Sequence, residues 1–164
     1  MTAISKIRPL QPDDNQQLGI IIRQVLEEFH ANKPGTAYFD NNLYELYSAF
    51  AIPNAAYWIV EVDGSVAGGA GIFPVPGLPP AHCELVKLYL LPEARGLGLG
   101  KQLIAQCLQS ARSFGYTHVY LETLPELEQA IPLYEKMGFT YLPAPLGNAV
   151  HFGCSIWMIK ALAL

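Results

Sequence analysis

The chain has 164 residues, of which only 15% are charged, and a formal net charge of −4. That length suits one domain with a sizeable core, and so acidic and charge-poor a balance lacks the basic face that nucleic acid requires. Three cysteines (Cys83, Cys107, Cys154) show no C-x-x-C spacing, and four histidines (His30, His82, His118, His151) show no i, i+4 spacing, so neither a disulfide framework nor a metal site is expected. The first residues contain no apolar leader core, and no stretch approaches the roughly 18 apolar residues of a membrane span, so a soluble cytoplasmic protein is the reading.

In chain order, residues 4–8 suit a short strand. Asp13 and Asp14 suit a helix N-cap before Leu18, Ile21, Ile22, Val25, Leu26 and Phe29, whose spacing puts one helical face on a core. Pro34-Gly35 interrupts it. A second helix is expected from about Asn41, with Asp40 as its cap and Leu43, Leu46, Tyr47 and Phe50 on one side. Residues 57–62 and 66–73 flank Asp63-Gly64, a strong hairpin signal. A proline-rich loop at 74–80 leads to an apolar strand, and a helix over about 98–114 is ended by Gly115. Residues 117–123 read as a strand parallel to the one before that helix, making a βαβ unit. Pro132 would cost a helix interior about 3 kcal/mol, so the next helix is expected to begin near Ala130 and place the proline in its first turn. Tyr141 and Leu142 suit a strand end, and residues 151–159 the last strand. With no repeat or linker, residues 1–164 are read as a single domain.

Residues 84–101, ELVKLYLLPEARGLGLGK, organise the rest: a strand, Pro92, then a glycine-rich turn opening a helix. Glycines there would let backbone N–H groups and the helix N-terminus close around an anion such as a diphosphate. A P-loop is excluded because Gln102, not Ser or Thr, follows Gly100-Lys101, and the G-x-G-x-x-G dinucleotide spacing is absent. Arg95-Gly96-Leu97-Gly98-Leu99-Gly100 instead resembles the Arg/Gln-x-x-Gly-x-Gly/Ala signature of the GNAT superfamily of acyl-CoA-dependent N-acyltransferases. Leu133-Tyr134-Glu135-Lys136-Met137-Gly138-Phe139 resembles that family's Leu-Tyr-Glu-x-x-Gly-Phe. The match covers roughly residues 55–160, and two motifs at this separation are more specific than either alone. Cys83-Glu84-Leu85, Tyr120-Leu121-Glu122-Thr123 and residues 147–158 further resemble a bacterial subgroup of unnamed acceptor.

The resemblance implies an α/β (α+β) GNAT fold: a mixed sheet of about six to seven strands, helices on both faces, and a splayed parallel pair that binds CoA. It implies acetyl-CoA as co-substrate without a metal. Its diphosphate would lie on Arg95, Gly96, Leu97, Gly98, Leu99, Gly100 and Lys101, and its pantetheine arm along the backbone of Leu88, Tyr89 and Leu90, with the amide of Leu90 or a neighbour as oxyanion donor. Tyr134 matches the tyrosine that protonates the departing thiolate. Glu84, among apolar neighbours, is the candidate general base, or else a carboxylate that binds a cationic acceptor. Tyr38 and His151 are weaker candidates for the acceptor cleft. The family also implies dimers through its last strands, where Phe152, Ile156 and Trp157 would contribute. The first functional expectation is N-acetylation of a small amine, an amino acid or polyamine. Protein N-termini or lysines are the alternative acceptors, and a CoA sensor without transfer is the alternative from another class.

Overall fold

The computed structural model describes residues 2–148 and 151–163. Seven strands, β1 (Ser5–Pro9), β2 (Ala56–Val62), β3 (Ser65–Phe73), β4 (His82–Leu90), β5 (His118–Thr123), β6 (Thr140–Leu142) and β7 (Ile156–Ala161), form one sheet in the order β1-β2-β3-β4-β5-β7-β6. Every neighbouring pair is antiparallel except β4 and β5. Four α-helices accompany it: α1 (Asn15–Glu28), α2 (Leu46–Phe50), α3 (Leu99–Ser113) and α4 (Ile131–Lys136).

Alternation along β2 divides the core between the two faces of the sheet. Tyr57 and Ile59 pack with Leu18, Ile22 and Leu26 of α1, whereas Val60 and Val62 pack with Leu103, Ile104 and Cys107 of α3. Leu18, Ile22 and Leu26 are fully buried, and each such side chain contributes roughly 1.5–3 kcal/mol of transfer free energy. The helices therefore lie on both faces, the mixed arrangement that the resemblance implied.

Local chemistry sets the boundaries. Asp63 (φ 51) and Gly64 (φ 82) both occupy the left-handed region, the geometry of a two-residue hairpin turn whose twist matches its strands. Pro132 falls in the first turn of α4, where its missing N–H has no partner to lose. Three expectations are corrected. Asp14 precedes α1 without capping it by its side chain; the carboxylate instead takes Arg8 at 2.8 Å and the Gln11 amide at 2.8 Å. The second helix begins at Leu46 rather than Asn41, because residues 41–44 form turns and Asp40 is committed to the side chains of Lys87 and His151. The last strand starts at Ile156, since His151 and Cys154 close a turn (Cys154 N to His151 O, 3.0 Å) and pairing with β5 begins at Thr123↔Ile156.

One close approach fixes how two central strands meet. A Cβ on Gly68 (φ +143) would lie 2.0 Å from the Tyr89 carbonyl oxygen, so only glycine lets β3 lie against the end of β4. Gly68→Ala is expected to cost about 3 kcal/mol, lowering the melting temperature by roughly 6–12 °C in a thermal unfolding experiment.

Candidate active site

β4 and β5 pair at only three positions, His82↔His118, Cys83↔Val119 and Glu84↔Tyr120, after which the strands diverge. The cause lies in β4. Its register with β3 steps from Gly71↔Val86 to Gly69↔Tyr89, which leaves one extra residue on β4. Lys87 takes up that residue with φ 54, a left-handed conformation costing a non-glycine roughly 1–2 kcal/mol. The Tyr57 hydroxyl donates to the Lys87 carbonyl at 2.8 Å and the Lys87 ammonium pairs with Asp40, and these contacts hold the bulge.

The divergence opens a cleft of about 350 Å³ between β4, the start of α3 and α4. Leu88, Tyr89, Leu90, Arg95, Gly96, Gly98, Leu99, Gly100 and Lys101 all line it, as does Tyr134. Leu97 is half exposed and does not. The three glycines act differently. Gly96 (φ +74) and Gly98 (φ +76) supply left-handed turns with open space around them, and Gly98 leads directly into α3. At Gly100 a Cβ would stand 2.7 Å from Leu133 Cδ2, so this glycine lets α3 and α4 approach. Among the described residues, none of the amides of residues 96–101 donates to a protein acceptor; six N–H groups at a helix start are available to an anion. Arg95 is occupied elsewhere. It donates to the Leu90 carbonyl at 3.0 and 2.8 Å and to Glu28 at 2.7 and 2.8 Å, fastening the end of β4 to α1.

On the far side of β4 lies a second cleft of about 620 Å³, bounded by residues 35–42, the start of the proline-rich loop and the loop before β7. Glu84, Lys87, Glu122 and His151 line it. A passage of about 50 Å³ lies between the two: Leu88, Tyr89, Leu127 and Tyr134 border it and the first cleft, while Thr36, Glu84, Glu122 and His151 border it and the second. Glu84 and Tyr134 therefore flank one short channel. Tyr38 lines none of these spaces; its hydroxyl donates to Glu27 at 2.8 Å and Arg23 lies over its ring. Its neighbour Phe39 lines the second cleft.

Glu84 is 8% exposed, and its carboxylate makes no hydrogen bond among the described residues. Burial, reinforced by Glu122 and opposed by Lys87, raises its pKa to about 8. Glu122 stands two residues beyond Tyr120, on the same sheet face as Glu84, and accepts from the Tyr120 hydroxyl at 2.6 Å. Asp40 is held below the usual carboxylate range: burial pushes it up, but the His151 hydrogen bond (2.8 Å) and Lys87 outweigh that. Burial also keeps the Tyr134 phenol protonated far above neutral pH, and pushes the Cys154 thiol, on the same channel, up to about 12. Sequence alone gives Glu122 only as part of a subgroup-like motif and Asp40 only as a helix cap, and assigns neither of them, nor Lys87, to the site. Strand alternation from Tyr120 could have found Glu122, whereas nothing local points to Asp40.

The family model described as "Acetyltransferase (GNAT) family" matches residues 22–139. An uncharacterized N-acetyltransferase, YjgM of Escherichia coli (strain K12), is 42% identical over 158 residues, spanning 95% of this chain and 94% of its own. Among solved structures, a GNAT-family acetyltransferase from Staphylococcus aureus Mu50 superposes with TM-score 0.80 at 16% identity, covering 98% of this chain and 100% of that one. The acetyltransferase yncA of Salmonella typhimurium, solved with its cofactor acetyl-CoA, gives 0.76 at 18% identity over 98% and 95% of the two chains. The chain belongs to the GNAT acetyltransferase family.

The raised Glu84 pKa carries a stability signature. Between about pH 4.5 and 8 the folded carboxyl keeps a proton that the unfolded chain has lost, so this group makes stability fall as pH rises through that window. Glu84→Gln is expected to gain on wild type by an amount on the order of a few kcal/mol between pH 5 and pH 9, read by denaturant unfolding at both. Equal pH dependence of the two proteins would remove the case for a perturbed carboxyl.

Proposed function

We propose that the protein transfers the acetyl group of acetyl-CoA to a small primary amine by direct attack within a ternary complex. One observation carries this reading: Glu84 and Tyr134 flank the short channel that joins the amide-lined cleft to the second cleft. A module that only bound CoA would need neither residue. The presence of acetyl-CoA in the Salmonella structure supports the co-substrate assignment, and the first cleft suits it. Six unengaged amides beside a helix start would hold a diphosphate, and the parted end of β4, Leu88 to Leu90, would accept the pantetheine arm as an added strand.

The co-substrate supplies a thioester, an acyl group already activated toward amines. Glu84 takes a proton from the acceptor ammonium, whose ordinary pKa near 10.4 leaves it unreactive at neutral pH. A carboxyl pKa of about 8 narrows the gap between the two groups and makes that transfer easier. The freed nitrogen forms the C–N bond as the C–S bond breaks, Tyr134 gives its phenolic proton to the departing sulfur, and the second proton leaving the nitrogen restores the phenol. Net release is one amide, one free thiol and one proton. The second cleft, at about 620 Å³, has the size of a small-molecule site, which favours a free amine over a protein lysine.

Two rate measurements test these roles. In wild type, kcat/KM for the amine should rise through about pH 8 as Glu84 ionises; Glu84→Gln should lose that rise and keep only the one set by the amine itself. Tyr134→Phe should lower kcat by roughly 10²–10³ with little change in the KM for acetyl-CoA. Unchanged thiol release by the phenylalanine variant would remove Tyr134 from the chemistry.

A further inference from the structure

The chemistry lining the second cleft narrows the acceptor. Its walls carry four phenylalanines: Phe39, Phe50, Phe73 and Phe152. Phe50 and Phe73 meet edge to face at 5.3 Å, and Phe50 is itself buried, so the floor is a fixed aromatic surface. Phe39 and Phe152 are 58% and 72% exposed, large apolar areas left to solvent at the cleft's rim. Phe152 touches another part of the cleft wall. Its ring rests on Gly35, where a Cβ would lie 2.6 Å from the ring, and the Gly153 amide donates to the Gly35 carbonyl at 2.9 Å.

Charge in the cleft is equally one-sided. Glu84 and Glu122 face it from adjacent strands at the channel end, where the acceptor nitrogen must arrive. Lys87 supplies the one lysine or arginine among the described lining residues, and its ammonium is already paired with Asp40, which also holds His151. An acceptor carboxylate entering here would find no unengaged cation among the described residues and would sit near Glu122, and near Glu84 wherever that group is ionised, at a cost of buried like charge. A second ammonium, as in a polyamine, would have to lie against the aromatic floor away from those acids.

We infer that the acceptor is a primary monoamine bearing an aromatic or comparably bulky apolar group and no carboxylate, its nitrogen drawn to Glu84 and Glu122 and its apolar body held by Phe39, Phe50, Phe73 and Phe152. This rests on the acetyltransferase reading above and departs from the amino acid or polyamine expected from sequence. Glu122, held by the Tyr120 hydroxyl, acts as a positioning residue for the ammonium.

Phenethylamine, L-phenylalanine and putrescine separate the determinants, because the first two differ only in the carboxylate and the third lacks the ring. With acetyl-CoA and free-thiol detection, kcat/KM for phenethylamine is expected to exceed each of the others at least 10-fold. Phe39→Ala and Phe152→Ala, both at exposed positions that a shorter side chain leaves foldable, should each lower the phenethylamine to putrescine ratio at least 3-fold. Glu122→Gln should raise the KM for phenethylamine several-fold with a smaller change in kcat. Preference for L-phenylalanine or putrescine, or a ratio unmoved by both phenylalanine variants, overturns the inference while leaving the acetyltransferase intact. Calorimetry of phenethylamine with the CoA-bound protein gives a readout independent of turnover, and no heat of binding there overturns it as well. Failure of acetyl-CoA itself to bind would instead sink the underlying reading.

Discussion

One extra residue in β4 bends that strand away from β5, and the cleft at Tyr134 and the cleft at Glu84 both border β4 where the strands part. Paired to its end, β4 would bury its backbone groups in a continuous ladder and leave no place for an added strand. The cost is concentrated at Lys87, forced to φ 54. Three separate contacts offset it: the Tyr57 hydroxyl on its carbonyl, Asp40 on its ammonium, and the close seating of β3 permitted by Gly68. A hydrogen bond of this kind contributes about 1 kcal/mol, so the bulge persists only because several neighbours agree on it. Arg95 secures the other end by fastening the Leu90 carbonyl to Glu28 of α1.

The same gap explains the electrostatics. Glu84 occupies the last paired position before the strands part, so it inherits burial from the sheet and faces the channel. Burial disfavours its charge, and Glu122 on the neighbouring strand adds to that, while Lys87, itself paired with Asp40, opposes both. Tyr134 reaches the channel from α4, whose approach to α3 requires Gly100. The proposed acid and base thus come from elements that meet only because the strands separate there.

Much of this was legible in the sequence wherever the cause was local. Asp63-Gly64 specified a hairpin through backbone conformation alone, and Pro132 marked the start of α4 by the donor it lacks. That Tyr134 and residues 95–101 other than Leu97 share one cleft was legible through their resemblance to a family. What could not be read depends on contacts between distant parts of the chain. Asp40 looked like a helix cap because its neighbours in sequence allow one; its partners are Lys87 and His151, 47 and 111 residues away. Lys87 gave no sign of a left-handed bulge, since the residue that usually marks one is glycine. Arg95 matched a signature position, yet its guanidinium braces backbone and a helix.

All of the proposed chemistry requires one continuous path from the amides of residues 96–101, through the gap between β4 and β5, to Glu84. A crystal structure with a bisubstrate analogue, CoA joined through its sulfur to phenethylamine, would trace that path atom by atom. The diphosphate is expected on those amides, the sulfur about 3–3.5 Å from the Tyr134 hydroxyl, and the amine nitrogen on the Glu84 side of the channel. A diphosphate bound elsewhere, or a linker that does not pass between the two strands, would contradict it.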